Sequence, residues 1–84
     1  MTRAYIIASS IDSLVLDHLV THNNIRKIKI GNMTRVVEKI VVHDDLSVTV
    51  RELKKPGELQ FLQSTFVAKD LQIDLVNNVL QIYF

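Results

Sequence analysis

The chain has 84 residues, 48% of them apolar and 23% charged, with a formal net charge of +1. That length allows one domain with a thin core, the apolar content argues against disorder, and the near-neutral charge argues against a dedicated polyanion binder. There is no cysteine, which excludes thiolate nucleophiles, disulfide frameworks and cysteine-ligated zinc.

Ala4-Tyr5-Ile6-Ile7-Ala8 is a continuous apolar run of the kind that makes a central strand covered on both faces. It is too short for a signal-peptide core, and nothing in the sequence approaches a membrane span, so a cytoplasmic setting is expected. Ser9 with Asp12 three residues later reads as an acidic capping box opening a helix that runs to about His22. Asn23-Asn24 supplies the left-handed residue that ends it. Leu14, Ile11, Val15, Leu19, Leu16 and Val20 sweep more than half of the helix circumference, and Ser13, Asp17 and Thr21 form the polar stripe. A face that wide calls for a second helix or a second subunit.

Ile25 to Ile30 alternates apolar and charged residues as a strand does, and Gly31-Asn32 punctuates it. Asn32-Met33-Thr34 matches the N-glycosylation pattern but reads as a turn in a chain without an export signal. Arg35 to Val42 is rich in Val and Ile and predicts a strand, although Val36, Val37, Ile40 and Val41 also fit a helix. A three-residue loop at His43-Asp44-Asp45 sets Val42 against Leu46 and Ile40 against Val48 on an apolar face. Lys39 beside Thr49 and Val37 beside Arg51 then form the solvent side.

Lys54-Lys55-Pro56-Gly57 predicts a type II turn. Leu59, Leu62 and Phe66 follow at helical spacing and predict a second helix from about Glu58 to Ala68, although Thr65-Phe66-Val67 would also suit a strand. The closing segment reads as a β-hairpin around a two-residue Asn77-Asn78 loop of type I′. Its register places Leu75 with Leu80, Ile73 with Ile82 and Leu71 with Phe84 on one face. Val76 with Val79, Asp74 with Gln81 and Gln72 with Tyr83 take the other. The sum is one α+β domain over residues 1–84, mainly antiparallel, in the order β-α-β-β-β-α-β-β and ending in that hairpin. The β-α-β opening is long enough for a parallel crossover.

Chemistry-bearing constellations are few. His18 and His22 share a helix face and make half a metal site. The metalloprotease glutamate is missing, and a third ligand would have to come from His43, Asp44 or Asp17. A hydrogen-bonded His18 and a His22 interacting with the helix C-terminal dipole explain the pair without metal. Turn chemistry explains His43-Asp44-Asp45, and with only Gly31 and Gly57 there is no phosphate loop. No catalytic residue, metal or cofactor is therefore expected.

Arg26, Lys27, Lys29, Arg35 and Lys39 suggest a basic hairpin for nucleic acid, but no aromatic residue occurs between positions 6 and 60 to stack on bases. The favoured expectation is a non-enzymatic interaction module that binds another protein and pairs with itself as a homodimer. Its size suits an adaptor or inhibitor carried by a virus or mobile element. The surplus apolar surface nominates Leu16 and Val20 on the helix and Val79, Gln81, Tyr83 and Phe84 on an uncharged terminal strand as the interface.

Overall fold

The computed structural model describes residues 5–7 and 13–84, with side chains from Leu14 onward. In chain order the elements are β1 (Tyr5–Ile7), α1 (Ser13–His22), β2 (Lys27–Ile30), β3 (Met33–Val36), β4 (Lys39–Val42), β5 (Ser47–Arg51), β6 (Gln63–Val67), β7 (Asp70–Asp74) and β8 (Val79–Tyr83). They form two sheets, a five-stranded one in the order β1-β7-β8-β2-β3 and a three-stranded one in the order β4-β5-β6. The architecture is α+β, and every strand pair is antiparallel except β2 with β8.

The Ser9–Asp12 box lies outside the described residues. The other end of α1 closes as its asparagines predict. Asn24 adopts φ 52°, and its N–H bonds to the Thr21 carbonyl at 3.2 Å while the Ile25 N–H reaches back to Val20 at 2.9 Å. That pair of bonds is a Schellman motif, and it delivers Ile25 into the core. Asp17 leaves the expected polar stripe: its Oδ1 accepts the Val42 N–H at 2.9 Å, which binds α1 to β4.

Both hairpins keep the expected faces but differ in register by two residues. In β7–β8 the pairs are Asp74 with Val79, Ile73 with Leu80 and Leu71 with Ile82. The loop is longer than two residues because Asp74 Oδ1 accepts the N–H groups of Val76 and Asn77 at 3.0 and 3.1 Å, and its Oδ2 accepts Asn77 Nδ2. In β4–β5, Val42 faces Val48 and Ile40 faces Val50. There Asp45 Oδ1 accepts the Ser47 N–H and hydroxyl, and Leu46 takes φ 65°. An even shift moves no side chain to the other face, so the apolar pattern tolerates it.

The segment from Met33 to Val42 is two strands rather than one. Val37 N–H bonds to Arg26 in the first sheet at 2.7 Å, and Glu38 N–H bonds to Arg51 in the second at 2.8 Å. The chain changes sheet between these two successive N–H groups, at Val37. Val37, expected on the solvent side, is fully buried there. The second predicted helix is absent. After the type II turn, with Gly57 at φ 88° and Glu58 bonded back to Lys55, residues 58–62 form a loop and Gln63–Val67 is a strand. Leu59 and Leu62 are exposed, so their helical spacing marks no buried face. The free side of β5 captures Thr65-Phe66-Val67 instead.

β1 ends its sheet instead of lying at the centre. An apolar run carries no signal for the number of a strand's neighbours. The interior strand is β8, flanked by β7 and β2. Leu16 and Val20 of α1, Ile28 of β2, Ile40 and Val42 of β4, Val48 and Val50 of β5, and Leu71, Ile73, Leu80 and Ile82 of β7–β8 pack into one buried cluster between the sheets.

Candidate functional site

The residues nominated as an interface separate into two groups. Leu16, Val20 and Val79 are buried within the domain itself, so they offer nothing to a partner. Their apolar character is used by the protein's own fold. Gln81 is half-buried, with its Oε1 accepting the Tyr83 hydroxyl, and Gln72 Oε1 lies 3.1 Å from the same hydroxyl. Tyr83 and Phe84 remain exposed, and Phe84 meets Phe66 edge-on at 6.1 Å. β8 has no free edge, since both of its sides are paired.

The five basic residues do not form one patch. Arg26 donates to Glu38 Oε2 at 3.0 Å and to the Val37 carbonyl at 3.3 Å, which braces the sheet-switching peptide. Arg35 pairs with Glu52 at 3.0 Å. Lys27 and Lys29 project from the first sheet and Lys39 from the second. Arg26, Glu38, Lys39 and Arg51 line a cleft of about 260 Å³.

His18 and His22 stack with ring centroids 5.6 Å apart. Among the described residues no three His, Asp or Glu side chains are grouped to hold a metal ion. His43 joins a short polar ladder across the second sheet: its Nε2 lies 2.7 Å from Thr49 Oγ1, which lies 3.2 Å from Thr65 Oγ1. The neighbouring Asp45 carboxyl is held below the ordinary aspartate value by the Ser47 hydroxyl and N–H. No helix among the described residues is long and apolar enough to cross a membrane.

The accessible backbone lies elsewhere, at the ends of the two sheets. The Val37–Arg26 bond fixes the phase of the β2–β3 ladder, in which bonded and non-bonded pairs alternate. Ile28–Arg35 and Ile30–Met33 are therefore the bonded pairs, and the N–H and C=O groups of Thr34 and Val36 point away from the sheet. All four residues of β3 are exposed. On the side facing the second sheet, Ile28, Ile30, Met33, Arg35 and Phe66 line an apolar groove of about 250 Å³.

β6 ends the other sheet in the same way. The bonds Ala68 to Leu46 and Glu52 to Leu62 set its phase, so Gln63, Thr65 and Val67 turn their backbone groups outward. β4 differs, because α1 and the Asp17 carboxylate cover its edge. Sequence reading missed both edges, which no other described strand pairs, for one reason. The order of strands in a sheet is a long-range property, and the uncharged segments Met33-Thr34 and Gln63–Val67 signal an edge only once their neighbours are known.

Comparison with protein-family models, with curated proteins and with solved structures gives no match.

Proposed function

We propose that this protein is a binding module that takes up an extended segment of another protein by strand addition along β3. The observation that carries this reading is the conjunction at one end of the larger sheet. Outward backbone groups on Thr34 and Val36 stand directly beside the apolar groove of Ile28, Ile30, Met33 and Phe66. An added strand takes its main-chain hydrogen bonds from the first feature. Every second side chain of that strand then drops toward the second. Nucleic acid has weaker support, since two of the five candidate cations are ion-paired and the remaining three are divided between the sheets.

Selection from a random peptide library, followed by amide chemical-shift mapping of the winning peptide, tests the reading. Peptides with alternating apolar residues that perturb Met33–Val36 and Phe66 support it. Val36→Pro removes one outward N–H without touching the β2 ladder, and it should abolish binding while leaving the fold intact. Peptides that map to any other surface, or that bind the proline variant unchanged, overturn it.

A further inference from the structure

We infer that β6 is a self-association edge, and that two copies of this chain pair antiparallel through it about a two-fold axis centred on Thr65. Natural sheets blunt free edges with charges, proline or bulges. Gln63-Ser64-Thr65-Phe66-Val67 has no charge and no proline, and its ladder to β5 runs without a bulge. The phase of the ladder limits the bonding residues to Gln63, Thr65 and Val67, and within the strand only a two-fold at Thr65 pairs all three with one another. Because Gln63, Thr65 and Val67 carry the outward groups, a two-fold at Thr65 lets Thr65 exchange both backbone bonds with the partner's Thr65. Gln63 and Val67 exchange theirs with the partner's Val67 and the partner's Gln63.

None of the five paired residues carries a charge, so no like charges meet along the strand itself. Val67, 72% exposed in the single chain, gains a neighbour in the partner's Gln63. The hydroxyl ladder of His43, Thr49 and Thr65 becomes continuous across the axis. The two small sheets fuse into one, with isologous contact as closed symmetry requires. β3 belongs to the other sheet, so this pairing uses none of its backbone groups; the two readings share only Phe66, whose side chain lines the groove while its backbone pairs with Val48 of β5.

The test is solution mass by light scattering over a range of concentrations, together with single-cysteine cross-linking in a chain that has no other cysteine. The parent protein should show twice the chain mass. Thr65→Cys should oxidise to a covalent dimer, since bonded antiparallel pairs have Cα atoms about 5.5 Å apart, inside the disulfide range. Gln63→Cys alone should not cross-link, whereas a mixture of Gln63→Cys and Val67→Cys should. Thr65→Lys places two like charges on the axis and should halve the mass while circular dichroism stays unchanged. A parent protein that is monomeric throughout the range overturns the proposal. So does a dimer that survives Thr65→Lys, or a dimer in which Thr65→Cys fails to cross-link.

Discussion

Asp17→Ala isolates the bond that ties α1 to the edge of β4. The substitution removes the acceptor that lies 2.9 Å from the Val42 nitrogen, and Val42 is only 4% exposed, so water cannot easily take its place. Leaving a buried N–H without a partner costs about 1–3 kcal/mol. An opposing effect comes from the helix itself, where alanine is better than aspartate by roughly 0.5–0.7 kcal/mol. The tertiary bond wins, for a net loss of about 1–2 kcal/mol. In a domain of this size that lowers the melting temperature by about 5–15 °C.

Asp17→Asn keeps an oxygen acceptor and gives up the charge, so it should lose about half as much. Thermal unfolding with amide exchange of Val42 reads both effects, and the Val42 amide should lose protection selectively in Asp17→Ala. If Asp17→Ala melts at or above the parent temperature, helix propensity outweighs the bond and the argument fails.

Asp74→Ala strips the β7–β8 loop of its carboxylate acceptor. Water can reach the exposed loop residues, so the expected loss is about 1–2 kcal/mol in denaturant unfolding, and an unchanged midpoint would refute it. Leu80→Ala and Leu59→Ala remove the same atoms from opposite environments, fully buried and 91% exposed. The first should cost about 2–5 kcal/mol and the second no more than about 0.5 kcal/mol, so a reversed order would contradict the core assignment.

The Asp45 carboxyl, lowered by the Ser47 bonds, should titrate by NMR with a midpoint below 3.8. Its contribution to stability is fully present above the unfolded-state value of about 3.9 and is lost as pH falls through the lowered folded value. Ser47→Ala should bring that midpoint back up, and a midpoint that does not move would show that Ser47 is not its cause.

Local chemistry was legible wherever one short segment determines its own conformation. Asn24 at the end of α1, Pro56-Gly57 in the type II turn and the in-out alternation of both hairpins follow from residues only a few positions apart. The registers were less legible, because aspartate side chains at positions 45 and 74 reorganise the loops without moving a residue to the other face. Leu59, Leu62 and Phe66 carried a helical spacing that the free side of β5 overrode. The candidate docking edges were illegible for a different reason. The parallel β2–β8 pairing and the division into two sheets join residues far apart in sequence, and no local signal encodes which strand is left at the end. The apolar excess of Leu16, Val20 and Val79 was recognised correctly as a demand for cover, but the cover comes from within the domain.

The interior position of β8 also orders events in time. β1 and β2 lie parallel in one sheet, yet β7 and β8 stand between them. During synthesis the amino-terminal strands therefore emerge long before the strands that will join them. A nascent chain carrying β1 through β6 can zip the β2–β3 hairpin and the smaller sheet, but it has no middle for the larger one. Its apolar faces stay uncovered until β8 slots between β7 and β2. Closing that long loop is entropically costly and should make folding slow for a domain of this size. Any product that stops short of Val79 exposes the very surface the finished protein hides, which leaves it a natural target for chaperones and proteases.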